Sequence, residues 1–157
     1  NAVLGSGGHS RLYQEIREKK ALSYLVGSLY HPLADTGLWA TYAGTHPKNV
    51  DTVRNIMLQQ IRRIQEEPLS AKELAEIKNY IRGRILIQTE NNSRLSDFVG
   101  TGFVSGPWEL PRDFLSRLEA VTAADVLRVA RAYLREDQAN LIILKPYPGL
   151  MFLRNFL

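Results

Sequence analysis

The chain contains 157 residues, of which 45% are hydrophobic and 23% are charged, and its formal net charge is +4 at pH 7. This composition predicts one globular domain with its own buried core and argues against a disordered chain. The chain has no cysteine, which excludes disulfides and thiolate metal sites and leaves the redox compartment open. The basic residues are spread along the sequence, so no nucleic-acid partner is expected, and the longest apolar runs are too short to form a membrane span.

The first segment, Asn1 to Gly8, starts apolar and ends in GSGG, where we expect the backbone to break before a helix begins near Ser10. GSGGHS lacks the preceding strand and the third glycine of a dinucleotide-binding fingerprint, so no phosphate-binding role is predicted. The stretch His9 to Leu25, HSRLYQEIREKKALSYL, predicts an amphipathic helix followed by a short turn and a strand. Leu12 and Ile16 are four residues apart and share one face of that helix.

Arg17 and Tyr24 are the candidate site residues of this stretch. Arg17 falls in the last turn of the predicted helix, and Tyr24 stands near the start of the predicted strand. Because only a short turn separates the two elements, both side chains can reach one space, which is the outline of a ligand-binding site. The residues alone leave open the alternative that Arg17 is solvated and that Tyr24 packs at the edge of the core.

Two strands are predicted next, at about Ser23 to Pro32 and at Gly37 to Thr45. The connecting LADTG supplies aspartate and glycine for a turn, so the strands should pair as an antiparallel hairpin. The second strand is partly apolar on both faces, and we expect one of these faces to meet helices. Its Tyr42 is interpreted as a packing residue.

Helical periodicity covers most of the remaining chain. A helix is predicted from Pro47 to about Glu67, and Ser70 with Glu73 predicts a capping box at the start of the next helix. ENNS, at residues 90–93, interrupts the periodicity, which leaves open whether the helix continues or breaks there, and a further helix should end near Gly106. These apolar stripes are interpreted as core packing and not as a binding site.

The last part of the chain is predicted to contain two more helices and a closing strand. SGPW marks a turn, and ELPRDF starts a short helix through Leu118. Thr122 with Asp125 predicts a capped last helix, and Asn140 to Lys145 is predicted to be a strand. The apolar tail, residues 146–157, either docks on a partner or is poorly ordered, and the sequence leaves both open.

The predicted fold class is α+β, with a largely antiparallel sheet and helices packed on one face. Residues 1–145 form one domain, since no long linker, repeat or low-complexity tract divides them. The only histidines, His9, His31 and His46, fall in different predicted elements, and no His-x-x-Glu-His helix occurs. No metal site is therefore predicted within this chain.

Three stretches carry a resemblance to a known family. They are LGSGGHSRLYQEIREKKALSY, GLWATYAGT and VTAADVLRVARAYL followed by NLIILKP. Over about residues 1 to 145 the chain resembles the C-terminal domain of pitrilysin (insulinase-type) zinc metallopeptidases, which include the mitochondrial processing peptidases. By this resemblance Arg17 and Tyr24 fall on the family's arginine–tyrosine pair. It also implies that the family's first strand and most of its first helix are missing here, so the chain is expected to be a piece of a longer protein.

The resemblance implies that this is the C-terminal domain of a zinc-dependent endopeptidase that acts on a peptide or unfolded protein. Arg17 would bind the substrate backbone, and the Tyr24 hydroxyl would donate to the developing oxyanion, so both are candidate catalytic and substrate-binding residues. Zinc would belong to the complete enzyme and would be held by an N-terminal domain or partner subunit, in a homo- or heterodimer, and not by this chain. Alone, the chain is expected to be inactive, and its localisation is left open.

Two alternatives come from other functional classes. The chain could be a non-catalytic structural or partner subunit of the same fold, like the core subunits of respiratory complexes. Retention of both Arg17 and Tyr24 argues against a pure scaffold, which needs neither. An unrelated α+β binding module would require the whole resemblance to be coincidence.

Overall fold

The computed structural model of the chain describes residues 1–33, 35–105 and 109–145. The apolar tail of residues 146–157 lies outside these ranges, as does most of the turn predicted at SGPW. The elements in chain order are α1 (Ala2–Gly5), a π-helix (Tyr13–Glu18), β1 (Ser23–Pro32), β2 (Gly37–Thr45), a 3-10 turn (Pro47–Asn49), α2 (Val50–Glu66), α3 (Ala71–Thr89), α4 (Asn92–Ser105), α5 (Glu109–Ala120), α6 (Ala123–Tyr133) and a second 3-10 turn (Glu136–Gln138).

The two strands form an antiparallel hairpin at the predicted positions. On one face of β2, Trp39 and Ala43 pack against the helical core, whereas Leu38 and Tyr42 on the other face are exposed. This separation of faces is the period-two pattern of a half-buried strand. The predicted α+β class, with an antiparallel sheet and helices on one face, is confirmed, although the sheet has only two strands within the described ranges.

The helical core forms where apolar side chains repeat every three or four residues. Burial of these side chains removes apolar surface from water and holds α1, the π-helix, α2, α3 and α6 together. Its buried members are Val3, Leu4, Leu12, Ile16, Val53, Ile56, Ile64, Leu69, Ile77 and Ala130.

The helix boundaries follow local signals that the sequence displays. Of the two possibilities left open at residues 90–93, the structure has the break, since α3 ends at Thr89 and α4 begins at Asn92. At α6, Thr122 and Asp125 form the complete capping box, with each side chain bonded to the other's backbone N–H. At α3 only half of the predicted box forms: Ser70 Oγ accepts the Glu73 N–H at 3.1 Å.

The closing strand predicted for Asn140 to Lys145 is wrong for the described structure. Residues 139–145 have neither helix nor strand hydrogen bonding, and Ile142 and Leu144 are 81% and 92% exposed. A strand forms only where a neighbouring strand supplies ladder hydrogen bonds, and none of the described residues pairs with this segment.

None of the helices in the described ranges is both long enough and apolar enough to cross a membrane.

Candidate functional site

The site begins at the helix that carries Arg17. The sequence predicted an α-helix, whereas residues 13–18 form a π-helix, closed for example by the Lys19 N–H donating to the Gln14 carbonyl at 2.9 Å. Leu12 and Ile16 are completely buried and anchor this helix on the core. π-Helical turns are rare and often occur at functional sites. The spacing of apolar residues in a sequence does not distinguish a π-helical turn from an α-helical one.

The chain leaves the π-helix through a sharp turn at Ala21. Ala21 has a φ of 48°, the left-handed conformation that ends many helices and that non-glycine residues seldom adopt. The Ala21 N–H donates to the Arg17 carbonyl at 3.1 Å, and the Leu22 N–H donates to the Ile16 carbonyl at 2.9 Å. This turn brings β1 back alongside the helix that has just ended.

Tyr24 occupies a bulge at the start of β1. Ser23 pairs with Thr45 and Leu25 pairs with Gly44, so Tyr24 is an extra residue without a partner on β2. The buried Ser23 Oγ lies 2.6 Å from the Leu25 carbonyl oxygen and 2.7 Å from that of Gly44, and its hydroxyl proton can be donated to either. Bulges re-aim side chains, and here the Tyr24 side chain leaves the core and is 81% exposed.

Arg17 and Tyr24 are brought together, as the sequence predicted. The guanidinium carbon of Arg17 lies 4.1 Å from the centre of the Tyr24 ring and 4.8 Å from that of Tyr13. One Arg17 N–H donates to the Tyr24 carbonyl at 3.3 Å, and the Glu18 carboxylate is 4.0 Å from Nε. The cation therefore contacts two aromatic rings, an arrangement that favours a planar guanidinium.

The pair offers hydrogen-bond donors. Throughout the described ranges the Tyr24 hydroxyl has no hydrogen-bond partner, and Arg17 has N–H groups beyond the one that Tyr24 accepts. Donors of this kind suit a carbonyl oxygen or an oxyanion, because both accept hydrogen bonds from a phenol and a guanidinium.

The described residues do not fit a zinc ion. They contain no group of three histidine, cysteine, aspartate or glutamate side chains that could hold a metal. The ring of His9 packs edge-on against Tyr80 at 4.5 Å, and His46 Nδ1 accepts the Lys48 N–H at 3.3 Å. His9 and His46 make these other contacts, and neither belongs to a group of three ligand side chains of the kind that zinc prefers.

A second polar cluster, Ser6–Tyr80–Arg84, was not singled out from the sequence. One terminal nitrogen of Arg84 donates to the Tyr80 hydroxyl at 3.1 Å and to Ser6 Oγ at 3.2 Å. Burial raises the pKa of Tyr80, but the hydrogen bonds with Ser6 and Arg84 and the charge of Arg84 outweigh it and leave this pKa below its ordinary value. The only sequence signal is the four-residue spacing of Tyr80 and Arg84 on one helix.

Comparison with known proteins gives concordant matches. The family described as Peptidase M16 inactive domain matches residues 1–81. An uncharacterized zinc protease of Streptomyces coelicolor is 34% identical over 132 residues, which is 83% of this chain and 29% of that protein. A Bacillus subtilis protein named "probable inactive metalloprotease" is 28% identical over 129 residues, or 82% of this chain and 30% of its own length.

The fold also matches solved structures. A protease from Helicobacter pylori superposes with a TM-score of 0.80 at 21% identity, covering 87% of this chain and 33% of the other. At that identity the match supports the fold alone. The chain spans about a third of the length of the relatives that it matches.

Proposed function

This chain belongs to the family of peptidase M16 inactive domains, and we propose from that membership that it forms one half of a zinc-dependent endopeptidase. In this proposal the chain holds the peptide substrate and stabilises the reacting carbonyl. The observation that carries the proposal is the contact between Arg17 and Tyr24, in which a guanidinium lies over the ring of a phenol whose hydroxyl has no hydrogen-bond partner among the described residues. A scaffold has no need of such a pair.

Arg17 is the group that binds the peptide backbone. Its guanidinium donates charge-assisted hydrogen bonds to a substrate carbonyl, and the rings of Tyr13 and Tyr24 keep its plane in one orientation. The Tyr24 hydroxyl, which has no partner among the described residues, donates to the carbonyl oxygen of the scissile bond. That hydrogen bond strengthens as negative charge develops on the oxygen, so it stabilises the transition state more than the bound substrate.

The remaining catalytic groups come from elsewhere in the enzyme. The described residues contain no group of three ligand side chains that could hold a metal, and the relative named a zinc protease is about three times as long as this chain. We assign the metal to an N-terminal domain or a partner subunit that faces Arg17 and Tyr24 in a homo- or heterodimer. The substrate class is a peptide or an unfolded protein, whose extended backbone can reach both halves.

A second candidate function is that of a non-catalytic partner in an assembly of this fold. It is favoured by the relative named "probable inactive metalloprotease", which is 28% identical to this chain. The two functions make different demands on Tyr24. A catalytic donor requires its hydroxyl, whereas a packing residue requires only its ring.

The substitution Tyr24→Phe in the assembled enzyme tests the proposal. It removes the hydroxyl and keeps the ring that lies on Arg17, so the melting temperature should not change. We expect kcat to fall by about a hundredfold and KM to change little, as for other donors to an oxyanion. Peptide turnover and thermal unfolding are measured on the same preparation.

The matched control is Tyr133→Phe, which removes an exposed hydroxyl from α6. It should leave both turnover and melting temperature unchanged. Normal turnover in a stable Tyr24→Phe enzyme would remove Tyr24 from the catalytic site and favour the non-catalytic function.

A further inference from the structure

The glycine-rich loop, defined as residues 6–9, lies directly against α3. Gly7 has a φ of +94°, and a Cβ there would come within 2.7 Å of the Tyr80 ring. Only glycine fits both the backbone conformation and the space, so the loop is held close to Tyr80. His9 adds an edge-on ring contact with Tyr80, at 4.5 Å between ring centres. The loop and α3 together thus place Ser6, Tyr80 and Arg84 at one point of the surface.

Arg84 has hydrogen-bonding capacity that the chain does not use. One of its terminal nitrogens donates to Ser6 Oγ and to the Tyr80 hydroxyl, while its other terminal nitrogen and Nε have no partner in the described part of the chain. Several other arginines are paired with carboxylates, for example Arg62 with Glu136 at 2.7 Å. Arg84 has no such partner among the described residues, so its free edge faces solvent with its charge uncompensated.

The two hydroxyl groups add a further donor. Ser6 Oγ and the Tyr80 hydroxyl are 3.4 Å apart, and either can donate to the other. Both oxygens already accept from Arg84, and only one of the two protons can be used between them. At least one hydroxyl proton therefore remains for an acceptor that also reaches the free edge of Arg84.

The charge of this cluster selects the kind of acceptor. Arg84 is the only formally charged group in the contacts described for Ser6 and Tyr80. Its single positive charge is balanced by a singly charged anion and not by a phosphate dianion. A carboxylate also matches the planar edge of a guanidinium, on which two parallel N–H···O bonds can form. The lowered pKa of Tyr80 is consistent with an electropositive cluster.

The cluster is connected to Arg17 and Tyr24 by a row of contacts. Tyr80 touches His9, and a Cβ at the neighbouring Gly8 would lie 3.8 Å from the Tyr13 ring. Tyr13 in turn lies under the Arg17 guanidinium, at 4.8 Å. This row of contacts links the cluster to Arg17 through the loop and Tyr13.

We propose that Ser6, Tyr80 and Arg84 form a carboxylate-binding subsite for the same peptide whose backbone Arg17 and Tyr24 hold. The peptide as the source of the carboxylate rests on the proposed function. Two sources share this chemistry: an acidic side chain within the peptide and the carboxylate at its C-terminus. The subsite would make the enzyme prefer substrates with a negative charge at a fixed distance from the bond that is cleaved.

Peptide binding to the assembled protein tests this subsite, with a chelator present so that no probe is cleaved. The probe is one short fluorescein-labelled peptide without acidic residues, made with a free C-terminus or a C-terminal amide. Two further amidated versions contain one internal glutamate or one internal glutamine. Fluorescence anisotropy at low salt should show that one of the two carboxylates tightens binding by about fivefold over its neutral counterpart.

Substitutions in the cluster then show whether it causes the preference for the charged peptide. Arg84→Ala should abolish the difference between the charged and neutral peptides, and Tyr80→Phe, which keeps the ring against Gly7 and His9, should reduce it. Arg135→Ala is the matched control, since Arg135 is an exposed arginine already paired with Asp137 at 2.6 Å, and it should keep the full preference. If Arg84→Ala does not fold, Tyr80→Phe still gives the answer.

Several outcomes overturn the subsite. Equal affinity for all four peptides, a preference that survives both Arg84→Ala and Tyr80→Phe, or no binding of any peptide would each do so. Equal affinities that nevertheless weaken with Arg17→Ala would overturn the subsite alone and leave the proposed function intact. A preference for the internal glutamate or for the free C-terminus identifies the source of the carboxylate.

Discussion

Arg17 contacts the rings of Tyr13 and Tyr24, whose centres lie 4.8 and 4.1 Å from its guanidinium carbon. Its side chain is 30% exposed, so part of the guanidinium can still reach a ligand. A long flexible side chain normally loses rotamer freedom when it binds a partner. Here the two rings and the Tyr24 carbonyl already order it, which would lower the entropic cost of binding the proposed peptide.

We expect Arg17→Lys to bind peptide substrate poorly in the assembled enzyme. A lysine ammonium keeps the charge but has no planar fork, and it cannot lie flat between two rings while donating to a backbone carbonyl. KM should rise by about tenfold, with a smaller change in kcat. Steady-state kinetics on a single peptide, together with a melting curve, measure this.

The control for Arg17→Lys is Arg54→Lys on α2, where Arg54 belongs to an exposed pair with Asp51 at 3.3 Å. It should leave KM unchanged, since exposed ion pairs contribute little and Arg54 has no aromatic partner in the described contacts. A normal KM for Arg17→Lys would mean that charge alone is sufficient at this position.

At the residue scale, the sequence predicted that Arg17 and Tyr24 lie together and did not predict the β-bulge that positions Tyr24. The contact of Arg17 with Tyr24 follows from a helix, a short turn and a strand, all of which local patterns indicate. The bulge at Tyr24 depends on how Ser23 and Leu25 pair with Thr45 and Gly44, residues far along the chain. Local propensity contains no information about such a register shift.

At the scale of elements, one ion pair ties the site helix to α3. Arg11 precedes the π-helix, and its Nε and one terminal nitrogen donate to the two carboxylate oxygens of Glu73 at 2.7 and 3.0 Å. The Arg11 side chain is only 11% exposed, and its other terminal nitrogen is buried without a hydrogen-bond partner among the described residues. This pairing also explains why Glu73 does not complete the capping box with Ser70.

Glu73→Gln should destabilise the folded chain by about 2 kcal/mol. The substitution leaves the buried Arg11 charge without its counter-ion, which costs more than the loss of an exposed pair. Urea unfolding curves measure the difference in the free energy of unfolding. Because the π-helix is tied to α3 through this pair, peptide binding by Arg17 should weaken as well.

Glu136→Gln is the comparison, since it breaks the exposed pair with Arg62 and should cost less than about 1 kcal/mol. Equal losses for Glu73→Gln and Glu136→Gln would contradict a special role for the buried pair.

The elements differ in how far the sequence predicts them. The long helices and the hairpin are predicted well, because their apolar period and their turn or cap residues are local. The segment at residues 140–145 has the apolar composition of a strand, yet it has no strand hydrogen bonds in the structure. Composition shows that residues can pair and does not show that a partner strand is present.

At the scale of the whole molecule, the site is open. Tyr24 is 81% exposed, and Arg17 is partly exposed beside it. Hydrogen bonds to a developing charge are strong only where water is excluded, so an exposed pair stabilises an oxyanion weakly. The proposed function therefore requires a second body that covers Arg17 and Tyr24, and the relatives are about three times the length of this chain.

The need for a second body at the site predicts that this chain alone is inactive. Expressed alone, the chain should bind no stoichiometric zinc and cleave no peptide, because the described residues contain no metal-binding group and the site is open to water. Elemental analysis and a fluorogenic peptide assay measure these two properties. Mixing with the zinc-bearing half should restore cleavage, and mixing with that half carrying a substituted zinc ligand should not.

The same mixture distinguishes a catalytic contribution from simple stabilisation of the zinc-bearing half. If this chain only stabilises its partner, then adding the Tyr24→Phe form should restore as much cleavage as the unaltered chain. If it completes the site, the two mixtures should assemble equally, as judged by size-exclusion chromatography, while their turnover differs by about a hundredfold. Zinc-independent cleavage by this chain alone would contradict the division of labour, because it would require a nucleophile and a base that Arg17 and Tyr24 cannot supply.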